Sequence, residues 1–400
     1  MESKVKVFSQ SPQVLQGTFR DSVVYSVEIA RDQEVLNLNH QFSDYLLLRK
    51  LMAERWPMCY VPSLTLQVHS GVTKSANDTS KDVIAKRQML VQEFVMQVSE
   101  LPHLYQSDEF VTLRASNNDF ERAVSFLSKP NLHSIAERYA IKFSDFATGI
   151  DPAELRLSLK KHVADLESLK KAMMTMKNSV KATYGYYDLM KVRVHDLLEA
   201  IRTYHENYSG SVAPLRKSSW QEDNPFETFH LVCLNAICDI EAMLAACAKV
   251  EEWTKLLANK EAGLKKKKQK RVEVGDGKVT WIMRLFGRSS LKVVAKLEAE
   301  IEQDTRDTLA LSSMLNTGLR HLVQADLPNF LQRSYTAMKC AFKILSSGIY
   351  EGFTDAKQIG TQFDDDIVKA EVITDQKEGA PHAPEVEEGE EAAKIEERTD

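Results

Sequence analysis

Between Pro152 and Pro214 this chain contains no proline, and only Gly185 interrupts its pattern before Gly210. Apolar residues recur at Leu155, Leu159, Val163, Leu166, Leu169, Met173, Met176, Val180, Tyr184 and Tyr187. They continue at Val194, Leu197, Ile201 and Tyr204. Steps of three and four keep these side chains on one face of an α-helix. At about 1.5 Å per residue that helix is on the order of 85 Å long, wider than an ordinary globular domain. The spacing therefore predicts a rod, and a rod presents a surface to partners rather than a pocket to a substrate.

The start of the run is strongly marked, with Asp151 as N-cap, Pro152 at the first helical position and Glu154 three residues after the cap. Asn224, Pro225 and Glu227 repeat that signal. A second helix follows through Leu231, Leu234, Ile237, Ile240, Met243 and Leu244 to the lysines after Gly263. A third carries Leu291, Val294, Leu297, Ile301, Leu309 and Leu315, with Pro328 in its middle as an expected kink. The expected helices are 151–209, 225–271 and 290–353, within a helical domain at 151–355. Three long helices joined by two connections predict an antiparallel bundle.

Residues before this rod follow a different pattern. Residues 1–10 read as a loose start. Val23–Ile29 and Val35–Asn39 are rich in β-branched residues and flank a polar turn at Arg31-Asp32-Gln33, which predicts an antiparallel hairpin. Helices are expected from Ser43 to Trp56, where Pro57 ends the run, and from Lys81 to Ser99, with a shorter one ending near Leu113. Strands followed by helices make residues 11–115 a small α+β domain. The connector at 116–150 carries Phe120, Phe126, Tyr139, Phe143 and Phe146, too many aromatics for a polar linker. It is expected to pack the first domain against the rod.

Charge is divided along the chain. Residues 361–400 hold fourteen acidic and four basic side chains of the totals of 57 and 52, leaving 43 acidic and 48 basic before them. The composition of 356–400 predicts a disordered acidic tail, and the basic body suits an anionic partner such as a membrane surface. The five cysteines are scattered and never spaced as C-x-x-C, so reduced thiols in a cytoplasmic protein are expected, without a disulfide framework or zinc site. No run of eighteen consecutive apolar residues occurs, and the first residues lack the apolar stretch of a signal peptide.

His40-Gln41-Phe42-Ser43-Asp44-Tyr45 lies at the junction of an expected strand and helix. With Pro62 in the following loop and Lys86-Arg87-Gln88-Met89-Leu90 on the next helix, it resembles the PX (phox-homology) domain over residues 11–115. That resemblance implies phosphatidylinositol 3-phosphate binding. An arginine fork holds the phosphate, an aromatic stacks on the inositol ring, and other basic groups take the remaining oxygens. Carried over by position, Phe42 is the stacking aromatic, His40 occupies one arginine position, and Lys86 or Arg87 the second basic position. Gln41 stands where the key arginine belongs. An amide donates a hydrogen bond but cannot neutralise a phosphate dianion, so the motif is degenerate.

A PX-like domain, an aromatic connector and a three-helix coiled coil, in this order, resemble the sorting nexins that carry a BAR domain. The resemblance implies a homo- or heterodimer through paired rods that bury Met173, Met174 and Met176. It also implies a basic face against curved anionic membrane, peripheral attachment to endosomes, and a cargo-recognition complex as partner. On the first helix Lys160, Lys161, Lys170, Lys177 and Lys181 would supply that face, with Lys170, Lys177 and Lys181 on one stripe.

The junction of the second and third helices is the remaining constellation. Lys265, Lys266, Lys267, Lys268, Lys270 and Arg271 cluster before a turn at Gly275-Asp276-Gly277, and Trp281 and Phe286 follow in an apolar segment. Clustered cations attract anionic headgroups while inserted aromatics anchor, which reads as a peripheral membrane contact. Two other uses fit these residues: the apolar segment folding back on the bundle, and the lysines acting as a nuclear import signal. No P-loop, G-x-S-x-G or H-E-x-x-H motif is present, and the ten histidines lack ligand spacing. No enzyme, cofactor, metal or nucleic-acid partner is expected. The alternative to a membrane-bending protein is a coiled-coil adaptor whose PX-like domain binds protein.

Overall fold

The computed structural model describes residues 5–16, 22–31, 34–64, 80–116, 119–208, 224–275 and 290–350. Its sheet is organised around one strand. β3 (Ser22–Arg31) pairs antiparallel with β1 (Lys6–Ser9), β2 (Gln13–Leu15) and β4 (Glu34–Gln41), in registers Val7↔Ile29, Val14↔Val23 and Val27↔Leu38. The hairpin expected from Val23–Ile29 and Val35–Asn39 is β3 and β4. β3 is flanked on both sides and is buried from Val23 through Val27, which accounts for its run of apolar residues. One expectation is corrected here. Residues 6–9 are not loose: they form an edge strand, with Val7 turned into the core.

The helices that follow close the sheet. α1 (Phe42–Arg55) starts where the Gln41 backbone N–H donates to Asp44 Oδ2 at 3.1 Å and ends before Pro57. α2 (Lys81–Glu100) packs Val91, Phe94, Val95 and Val98 inward and lies against β1 and β3. Three short helices come next, α3 (Pro102–Tyr105), α4 (Asp108–Ala115) and α5 (Phe120–Ser125), then α6 (Leu132–Lys142) and a 3-10 turn at Ser144–Phe146.

Long helices make up the rest. α7 (Pro152–Tyr208) begins with Asp151 Oδ1 accepting from Ala153 N at 3.1 Å, the cap expected from sequence. α8 spans Pro225–Gly275. The third run is divided: α9 (Ser290–His321), a π-helical turn at Leu322–Asp326, then α10 (327–350). The π turn stands just before Pro328. Proline has no N–H and its ring crowds the carbonyl four residues back, so a widened turn accommodates both there. The fold class is therefore an α+β unit followed by long all-α helices.

The chain divides into two compact units, one holding residues up to Ala182 with Phe226–Lys343, the other Thr183–Pro225 and the residues from Ile344 onward. The first has one continuous core. It runs from Tyr25 and Leu38 of the sheet through Trp56, Tyr60, Tyr139 and Phe143 to Leu159, Ile237, Met243, Leu315 and Phe330 of the long helices. α6 crosses α9 closely because Gly318 has no side chain. A Cβ there would stand 2.6 Å from Met58 Cε and 2.8 Å from Tyr139 Cε1. α8 contains a stretch of mean hydropathy 1.8, apolar enough by length and composition to cross a bilayer. Half of that stretch is buried within the protein, with Cys233, Ile237 and Met243 in the core, so packing accounts for its composition. In the second unit, the Asn224 side chain donates to Tyr184 O at 3.4 Å and Asp188 Oδ1 at 2.8 Å.

Candidate functional site

The four residues at the headgroup position occupy unlike environments. His40 is 3% exposed. Its Nε2 donates to the Leu113 carbonyl at 2.9 Å, and its ring meets Tyr45 and Phe120 edge-on. Inward alternation on β4 puts His40 in the core. Arg87 is 6% exposed, its guanidinium 5.2 Å from the centre of the half-buried Phe42 ring. Burial raises the pKa of Tyr25, and the neighbouring Arg87 opposes that rise. Lys86 is held by Asp82 at 2.9 Å and by Glu227 of α8 at 3.8 Å. Gln41 is exposed, at the position where the family carries its key arginine. Phe42 and Arg87 are thus brought together, and the basic groups are buried or paired.

The lysines of α7 divide in two. Lys160, Lys161 and Lys181 are exposed. Lys170 bonds Glu241 of α8 at 3.0 Å, and Lys177 is 9% exposed. Of the stripe of Lys170, Lys177 and Lys181, the first two pack within the unit and Lys181 is exposed. The Lys177 and Lys181 charges, together with burial as the larger cause, depress the pKa of His230.

At the end of α8 the balance differs. Lys265, Lys266, Lys268 and Lys270 are exposed, and none forms an ion pair among the described residues. Lys267 is committed to Glu300 at 3.2 Å and Asp304 at 2.8 Å of α9, and Arg271 to Glu298 at 2.6 Å. Hydrogen bonds to those carboxylates raise the Lys267 pKa. The six clustered cations are therefore two clamps and four exposed charges without an ion pair among the described residues. Trp281 and Phe286 lie outside the described residues.

Sequence reasoning missed the polar network that fixes the loop after α1. Asp239 of α8 accepts from Ser63 N and from Gln97 Nε2, both at 3.1 Å. Asp326 of the π turn accepts from Tyr60 N at 2.9 Å, and burial pushes its carboxyl up to about 7. Tyr60 packs edge-on against Phe330. Deeper still, Glu109 is fully buried between Arg55 at 3.0 Å and Arg138 at 2.9 Å, tying α1, α4 and α6 together. An Asp within an apolar helical run (Asp239) was the only available signal.

No family model and no curated protein matches the chain. Among solved structures it is similar to the cryo-EM structure of the SNX-BAR Mvp1 tetramer, at 14% identity, covering 90% of this chain and 100% of that one, with a TM-score of 0.42. It is also similar to the X-ray structure of a designed CISK-PX domain, at 17% identity over 28% of this chain and 99% of that one, with a TM-score of 0.24.

Proposed function

We propose that this protein is a peripheral membrane protein of the sorting-nexin type, acting on anionic, phosphoinositide-bearing endosomal membranes to sense or generate curvature during protein sorting. The observation that carries this reading is the group of four exposed lysines at the end of α8, without ion pairs among the described residues and shortly before the segment with Trp281 and Phe286. Each cation near an anionic surface contributes about 1 kcal/mol. Lys160, Lys161 and Lys181 add exposed charge on α7. The proposed domains are a PX-like unit at 11–115 with the strand at 6–9 added to it, a connector at 116–150, and a BAR-type region at 151–355.

Self-association through the long helices belongs to the same reading. Met173, expected at that interface, is buried in its own chain's core with Met174 packed against it, so the exposed apolar residues that a second rod would cover are Tyr186, Leu189, Met190, Val192 and Leu197 of α7. A rod-to-rod interface of this type buries over about 2,000 Å² in total. Co-sedimentation with vesicles of phosphatidylserine and phosphatidylcholine tests the membrane part: binding to the anionic vesicles alone is expected, and equal failure on both overturns it.

One observation favours the adaptor reading for the PX-like unit itself. His40 and Arg87 are buried and Gln41 replaces the key arginine, which leaves a weak phosphoinositide pocket and frees the unit's surface for protein. On either reading the charge of α8, and not this pocket, dominates membrane attachment.

A further inference from the structure

The junction between the loop after α1 and the third long helix brings a sulfur to an imidazole nitrogen and a carboxylate that are distant from it in sequence. Cys59, His321 and Asp326 are all buried, and their candidate ligand atoms all lie within 4.8 Å of one another. We propose that these three residues bind a divalent transition-metal ion of the zinc(II) class. The site is separate from the membrane reading and stands or falls independently of it.

Three features point to an ion. His321 Nδ1 is buried without a hydrogen-bond partner, 3.6 Å from Asp326 Oδ2. That separation is close to the spacing of adjacent ligands around a tetrahedral ion with bonds of about 2.0–2.2 Å. The π turn supplies the second feature. In an α-helix, residues five apart lie well round the circumference from each other, whereas the wider i to i+5 turn stacks them. Widening at Leu322–Asp326 therefore turns Asp326 back under His321, toward Cys59.

Charge and chemistry supply the third. A thiolate and a carboxylate cancel a 2+ ion, so the loaded site is neutral overall, the least costly state for a buried ionic group. Mixed sulfur, nitrogen and oxygen donors suit zinc or cobalt, while magnesium and calcium prefer oxygen alone. On binding, the thiol proton of Cys59, and the proton on Asp326 where it is held, leave to solvent. A supporting shell stands in place: Tyr60 N donates to Asp326, the Tyr139 hydroxyl lies 3.4 Å from Cys59 Sγ, and Phe143 stacks on the His321 ring at 3.8 Å. The Tyr139 hydroxyl or a water would complete the fourth position. An ion here would tie the loop after α1 to the third helix.

The test uses the full chain, purified without chelator and dialysed into metal-free buffer, with zinc measured by mass spectrometry and affinity by competition against a chromogenic chelator. About one zinc per chain is expected. Cys59→Ser and Asp326→Asn, both near-isosteric, should each weaken binding about tenfold or more, while Cys340→Ser, which removes the exposed thiol, should not. If those variants fail to fold by circular dichroism, cobalt(II) added to Cys340→Ser decides. A thiolate-to-cobalt charge-transfer band supports the site, and its absence overturns it. A wild-type chain that neither retains nor takes up zinc, binding unchanged in Cys59→Ser, or binding lost in Cys340→Ser likewise overturns the proposal.

Discussion

The headgroup position and the end of α8 both carry clustered basic residues in the sequence, yet the fold treats them oppositely. At the first, His40 and Arg87 are drawn into the core and Lys86 is paired twice. At the second, Lys267 and Arg271 clamp α9 while Lys265, Lys266, Lys268 and Lys270 remain exposed. Cation count therefore does not measure affinity for an anionic surface. What matters is how many charges are left after the fold has used its share, since a paired charge gives little further attraction.

That contrast can be broken from the structural side. The largest effect is expected at Glu109, buried between two arginines. Glu109→Ala removes the buried carboxylate shared by both guanidiniums, leaving Arg55 with the Ser128 carbonyl and Arg138 with Asp108, and should cost about 3–5 kcal/mol in urea unfolding. Gly318→Ala forces a methyl against the Tyr139 ring and the flexible end of Met58, and should cost about 1–3 kcal/mol. Tyr139→Phe leaves the buried Met58 N–H, which now donates to the Tyr139 hydroxyl at 3.1 Å, without an acceptor, for about 1–3 kcal/mol. None of the three should alter vesicle binding at a temperature where the protein is folded. A selective loss of binding in any of them would mean that the buried junction, and not the free lysines, governs attachment.

Asp307 offers a smaller, pH-dependent effect. Lys260 is the main cause that lowers its pKa to about 2 from the ordinary 3.8, with His133 and Gln303 also bonded to it. A depressed carboxylate stabilises the fold above its ordinary pKa and loses that contribution as pH falls through about 2. Thermal melts of wild type and Asp307→Asn should therefore differ at neutral pH and converge between about pH 4 and pH 2. A difference that persists unchanged at the acid end would assign the effect to something other than the charge. The smallest change is expected from Gln41→Arg, which places a guanidinium at an exposed position and should modestly raise affinity for phosphatidylinositol 3-phosphate vesicles. No gain would show that the buried Arg87 cannot cooperate with it.

The long helices were legible because their periodicity is local: Asp151-Pro152 and Asn224-Pro225 mark two starts, and steps of three and four run on from them. The hairpin of β3 and β4 was legible for the same reason. β1 was not, because four residues of an edge strand carry no period and gain their pairing only from β3. The π turn was foreshadowed by Pro328 as a kink, but not in its form. Site residues were harder. Whether a lysine is free depends on carboxylates brought in from other helices, Glu241 for Lys170 and Asp304 for Lys267, which no spacing within one helix records. The burial of His40 was not legible because it depends on α4 and α5 closing over β4.

The central claim is that four exposed lysines at the end of α8 carry membrane attachment. It is tested most directly by replacing Lys265, Lys266, Lys268 and Lys270 together with glutamate in the full chain. Binding to phosphatidylserine-containing vesicles is then measured by co-sedimentation at about 0.05 M salt, where screening is weak. At about 1 kcal/mol per cation, the variant should bind at least about a hundredfold more weakly than the wild type, with an unchanged melting profile. Undiminished binding by the folded variant would contradict the account.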